Sequence, residues 1–185
     1  MSEENKSVLR GMIAGAVGGL AASYAMNVFM AKAGPAVTHV AQHLDGTAHQ
    51  QPQESPAQTS GQDDEPKIDA TMKTADAVVS AVTGGRHLSL EGKQVGGPIV
   101  HYAFGALMGA VYGVAAEYST WARSGFGTAF ASVLFTGADI VAVPALNLSG
   151  SSTDAPVSSL ASPFSAHVVY GVTTEAVRRA VRAAL

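Results

Sequence analysis

The chain has 185 residues, a formal net charge of -3, 14% charged residues and no cysteine. Soluble domains carry roughly 25% charge, so charge is scarce, and its small negative balance gives no footing for nucleic acid as a partner. The absence of thiols excludes disulfides, thiolate metal sites and cysteine nucleophiles.

The few charges avoid four long windows. The first, Gly11 to Ala31, is 21 residues closed by Arg10 and Lys32. At about 1.5 Å per residue it spans roughly 31 Å, the thickness of a bilayer core. A cleaved signal peptide has an apolar core of about 7–15 residues. This one is longer and follows Glu3 and Glu4, so a retained helix is expected over about residues 10–32. Gly11, Gly15 and Gly19 lie four apart along it, followed by Ser23 and Asn27.

His39 and His43 stand at i,i+4, a metal-binding spacing with no third ligand, so a surface pair is expected. Residues 44–67 are rich in Gln, Pro, Ser and acids, with little to bury, and predict a disordered linker. Over residues 68–84, Ile68, Met72, Ala75, Val79 and Val82 recur at helical spacing and end at Gly84-Gly85. That pattern predicts an amphipathic helix, either lying in the membrane interface or covering the outer end of a bundle.

The second window runs from Gly96 to Ala116 and carries His101 with Gly105, Gly109 and Gly113. The third, Ser124 to about Leu148, is apolar apart from Asp139, and the fourth, Ala155 to Thr174, contains His167. Helices are expected over about 96–118, 124–147 and 157–178. A soluble bundle would show charged stripes every third or fourth residue, and these windows show none. The fold expected is therefore all-α: a polytopic membrane protein with a four-transmembrane-helix bundle. Lys6, Arg10, Arg123, Arg178, Arg179 and Arg182 flank the short connections and ends, which puts both termini in the cytoplasm. The two GxxxGxxxG faces mark close helix packing, within the chain or against a second copy. Tyr118 and Trp121 beside Glu117 suit an interfacial aromatic belt. Glu175, three and four residues before Arg178 and Arg179, is expected to form a surface ion pair of little worth.

His101-Tyr102-Ala103-Phe104-Gly105 and His167-Val168-Val169-Tyr170-Gly171 share the pattern His-x-x-aromatic-Gly. Arg10 with Asn27 and Arg123 with Asp139 give a weaker match, and together they suggest two parallel two-helix repeats. The stretch Gly97 to Gly105, with Tyr112-Gly113 and the later His167 to Gly171, resembles the YagU-like bacterial inner-membrane proteins. Their function is unknown, so the resemblance implies a four-helix inner-membrane protein and supplies no catalytic residues.

On this topology Asn27, His101, Asp139 and His167 fall in the outer half or near the middle of the bilayer. A lipid-facing aspartate costs about 2.5–3.5 kcal/mol, so Asp139 should point inward toward a partner, and a histidine suits. The cluster is either a proton- or ion-responsive site or a hydrogen-bond network that fixes helix register. No phosphate loop, His-Glu-x-x-His or Gly-x-Ser-x-Gly motif occurs. No catalytic residue, metal or cofactor is expected. The function expected is that of an interaction, accessory or self-associating protein, with the lipid bilayer and a second copy or larger complex as partners. The alternative is a small proton-linked channel or transporter.

Overall fold

The computed structural model describes residues 7–44, 68–148 and 156–185. Residues 45–67, the core of the expected linker, and residues 149–155 lie outside the described residues. Among the described residues all regular structure is helical.

Helix α1 spans Val8–Lys32, and the Ser7 hydroxyl accepts from the Arg10 amide at its start. A second helix, α2, Gly34–Leu44, restarts after Ala33. Its Pro35 sits in the first turn, where the missing N–H has no helical partner to lose. Helix α3, Ala70–Thr83, is opened by the Asp69 carboxylate accepting from the Met72 amide and closed by left-handed Gly84 at φ 71°. Along the face expected to be apolar, Ala75 is buried and Met72 and Val79 are half-buried, while Ile68 and Val82 are exposed. Helix α4, Leu90–Tyr118, begins earlier than the uncharged window because Ser89 caps it at the Gly92 amide.

Helix α5, Ser124–Ala145, is irregular. It opens with a 3-10 turn over Ser124–Gly127 and widens to a π-helix over Thr136–Ala142. Phe126 holds a left-handed φ of 57° in that first turn, an uncommon conformation for a bulky residue. Its ring carries the Arg179 guanidinium 4.6 Å from the centroid. Helix α6 spans Val157–Ala184.

Three helices, α1, α4 and α5, are long and apolar enough to cross a membrane. The fourth uncharged window does fold as helix, in α6, but its serines, threonines and histidine leave it outside that group. The reason lies in its surroundings. Helix α6 packs against α1, α2 and α5 and buries Ser158, Ser159, Ser162, His167, Thr174, Glu175 and Arg178.

Glycine sets the spacing of α1 against its neighbours. A Cβ on Gly15 would stand 2.1 Å from the Gly109 carbonyl oxygen, and one on Gly19 would stand 2.2 Å from that of Gly105. Gly11 meets Gly113 in the same antiparallel register. Gly18, on another side of α1, meets the Thr174 carbonyl of α6. Both triplets are thus occupied inside the chain, so these faces are not open to a second copy. Between α4 and α6 the gap is filled by large side chains: Tyr112 is fully buried, and the Tyr170 hydroxyl donates to the Gly105 carbonyl at 2.6 Å.

Helix α3 lies on the first half of α4, with Ala75 against Gly96 and Met72 and Thr71 against Gly97. Asp76 ties this pair together. It accepts from the Leu88 amide at 2.6 Å and lies 3.1 Å from both His87 Nδ1 and Lys93 Nζ. The Leu88 amide above all, then Lys93 and His87, hold its carboxyl down at about 2.

Two outcomes follow from this packing. Gly15→Ala should destabilise the bundle by about 1–3 kcal/mol or more, because the new methyl meets backbone. Gly137→Ala, where a Cβ meets nothing within 4 Å, should change stability by no more than about 1 kcal/mol; detergent unfolding curves measure both. The Asp76 carboxyl is depressed in the folded state, so its contribution is complete above its ordinary value of 3.8 and is lost as pH falls through about 2. Wild type and Asp76→Asn should differ in stability above that window and converge as acid titration passes through it, with the wild type losing the α3–α4 contact.

Candidate functional site

Two polar clusters occupy opposite ends of the helix bundle. The first joins the start of α1 to the ends of α4 and α6. Glu175 is fully buried and its two carboxylate oxygens accept four donors. Arg178 Nε and Tyr112 Oη approach Oε2 at 2.7 Å each, and Arg178 Nη2 at 3.0 Å and Arg179 Nε at 2.6 Å approach Oε1. A carboxylate has about four lone-pair sites, so this one is saturated. Beside it, Glu117 accepts from Arg182 Nε at 2.9 Å and Nη2 at 3.3 Å, and from the Ser7 amide at 3.5 Å. Arg178 Nη1 stands 3.8 Å from Glu117 and links the two carboxylates.

The surface ion pair expected at Glu175 is therefore overturned: Glu175 and Arg178 are buried, and Arg179 alone of the three keeps an exposed side chain. The i+3 and i+4 spacing is the same on an exposed helix and a covered one. What differs is the cover, supplied here by Tyr112 and Glu117 from α4. Tyr112 carried a signal of its own, as an aromatic residue directly before Gly113 within the packed glycine face.

The second cluster holds the residues singled out from the sequence. It lies about 24 Å along α4 from Glu117, taking 16 residues from His101 at about 1.5 Å each. His167 Nε2 of α6 stands 3.1 Å from Asp139 Oδ2 of α5. The other ring nitrogen, Nδ1, lies 3.0 Å from the Pro163 carbonyl oxygen, one turn earlier in α6. Phe135 stacks edge-on against the same imidazole at 5.3 Å and against Phe164 at 5.5 Å. Phe135 ends the regular helix and Asp139 lies four residues on, inside the π-helical turn, and both reach α6.

His101 approaches from α4, and its buried Nε2 has no hydrogen-bond partner among the described residues. Its ring lies 5.6 Å from that of Tyr102. Asn27 is placed differently: its Nδ2 faces the Tyr102 hydroxyl at 3.5 Å, toward the exposed side of α1. The structure thus brings Asp139 against His167 and sets Asn27 on Tyr102 instead. His39 and His43 are exposed on α2 with their Nε2 atoms 3.2 Å apart. No group of three metal-ligating side chains occurs among the described residues.

Residues 56–176 match the family described as protein of unknown function DUF1440. The chain belongs to this family. The match covers α3, α4, α5 and most of α6, and α1 precedes it. No curated protein and no solved structure matches the chain. The family and its apolar helices make this an uncharacterised membrane protein.

Glu175→Ala should cost about 3–5 kcal/mol, because it leaves the buried Arg178 charge without its bidentate partner. Replacing Glu175 by Leu together with Arg178 by Met should cost much less, since no lone charge remains. Thermal unfolding of the two variants in detergent measures the difference.

Proposed function

We propose that this family member is a multi-pass protein of the bacterial inner membrane that acts by association, as an accessory or assembling subunit. In this reading residues 157–178 form a fourth membrane helix, and both termini are cytoplasmic. The basic flanks support that orientation, and the likeness of the Gly97 to Gly105 stretch to YagU-like proteins supports the four-helix inner-membrane reading. The cover given to α6 by its neighbours supports the fourth span, since a shielded helix tolerates polar side chains that a lipid-facing one does not. The two-repeat reading is supported by the pairing of Gly105 with Gly19 and of Gly171 with Gly127, each in an antiparallel helix pair.

The observation that carries association is the open face of α5. This helix rests on α6 and is the least covered of the three apolar helices. Val133 and Val141 are 56% and 58% exposed, and the Asp139 side chain between them is 39% exposed. A carboxyl facing hydrocarbon at that depth costs about 2.5–3.5 kcal/mol. Cover by another membrane helix, from a second copy or from a larger complex, removes that cost. The glycine triplets are filled within the chain, so α5 replaces them as the associating face.

The lack of native cysteine makes the test clean. Val133→Cys or Val141→Cys, oxidised in native membranes, should cross-link to a second copy or to another polypeptide. Leu107→Cys on the exposed side of α4 should stay monomeric. Absence of any α5 cross-link overturns the reading.

A second reading, a small proton-linked transporter, is supported by the approach of His167 to Asp139. It needs a wet path or broken helices at mid-membrane, and the π-helical turn around Asp139 is an irregularity of the kind that often marks functional sites.

A further inference from the structure

Imidazole is the commonest metal ligand among side chains, and α2 sets two of them side by side. His39 and His43 stand one helical turn apart, with Pro35 on the same stripe, and all three are exposed. The other side of α2, with Gly34 buried and Val37, Thr38, Ala41 and Gln42 half-buried, rests mainly on α6. The two Nε2 atoms are 3.2 Å apart and the ring planes cross at 71°. A zinc ion bonds imidazole nitrogen at about 2.0–2.1 Å. Two such bonds that span 3.2 Å enclose an angle of about 100°, close to tetrahedral. Without a metal the same distance suits a hydrogen bond, in which one Nε2–H donates to the other ring's Nε2. Coordination needs that hydrogen on Nδ1 instead, a tautomer exchange through water that changes no net charge.

We propose that His39 and His43 form a two-point chelate on the exposed face of α2 for a divalent transition ion that favours imidazole, Zn²⁺ or Cu²⁺, with water completing its coordination. The pair belongs to neither polar cluster, and the site stands or falls independently of association through α5.

The surroundings suit such an ion. Helix α2 contains no Lys, Arg, Asp or Glu. It therefore offers no fixed cation to repel a metal, and no carboxylate to draw Ca²⁺ or Mg²⁺, which take oxygen ligands. His43 lies in the last turn, where unpaired carbonyls and the helix dipole favour positive charge. Because α2 is held on α6, its two ligands are already in place, and less ordering is left for the metal to impose. The other described imidazoles lack this setting. His87 Nδ1 shares Asp76 Oδ2 with Lys93 Nζ, a fixed cation 3.1 Å from that oxygen. His167 is buried, and His101 is half-buried with its Nε2 shielded from water.

The test uses the full chain in lipid nanodiscs, purified through a tag without histidine, with empty nanodiscs as the blank. Calorimetric titration with Zn²⁺ should show saturable binding that excess Mg²⁺ does not displace. Cu²⁺ bound in its place should give an electron paramagnetic resonance spectrum split by two imidazole nitrogens. His39→Ala and His43→Ala should each weaken Zn²⁺ binding by about tenfold or more, since even a contact that only supports a metal ligand is worth roughly 10–100-fold. His87→Ala should leave binding unchanged. Positions 39 and 43 are exposed, so both variants should keep wild-type circular dichroism and detergent unfolding. The proposal is overturned by the lack of saturable Zn²⁺ binding, by a Cu²⁺ spectrum with a single nitrogen, or by His39→Ala and His43→Ala proteins that bind as wild type does.

Discussion

Backbone-to-backbone approach at α1 is the constraint on which the remaining architecture depends. In lipid no hydrophobic gain draws helices together, and association rests on van der Waals contact and interhelical hydrogen bonds. Gly11, Gly15 and Gly19 let α1 sink against α4, and Gly18 lets it sink against α6. Helix α1 thereby becomes a thin layer between two partners. The tyrosines that bridge α4 and α6, Tyr112 and Tyr170, reach across because α1 is so slender there. Tyr112 in turn delivers the fourth hydrogen bond to Glu175, and Tyr170 reaches the Gly105 carbonyl inside the glycine face itself. Packing and polar chemistry are coupled through the same few residues.

The two polar clusters divide the labour between ends. The Glu117 and Glu175 knot is saturated: each carboxylate oxygen has donors, and the arginines come from one helix end. Networks of that kind fix geometry and resist change. The Asp139 and His167 contact has the opposite character. It brings a carboxyl within 3.1 Å of an imidazole, on a helix with an irregular turn and an open side.

Much of this was legible in the residues, and the parts that were not share a cause. The uncharged windows mark α1, α4 and α5 because lipid tolerates so few charges that their absence over 21 residues is informative. Gly84 marked the end of α3 by its capping chemistry, whereas the Asp69 cap at its start became visible only in the structure. Depth grouped Asp139 with a histidine but did not choose between His101 and His167, and it included Asn27, which sits on Tyr102. Helix α2 lies outside the uncharged windows, and its start at Gly34-Pro35 uses a proline in the first turn, where no helical N–H bond is lost. The burial of Glu175 and Arg178 was invisible because local spacing does not encode cover. The π-helical turn at Thr136–Ala142 has no counterpart in the spacing of its apolar residues. What sequence withheld was, each time, the identity of the neighbouring helix.

The polarity of α6 bears on how the chain is made. A segment with five buried hydroxyl or imidazole side chains before its first charge enters hydrocarbon poorly by itself. It also follows α1, α4 and α5 along the chain, so they have already been synthesised when it leaves the ribosome. The order of elements along the polypeptide therefore provides the shelter before the guest arrives. Assembly of the bundle becomes an ordered event in which the C-terminal segment partitions into protein and not into lipid.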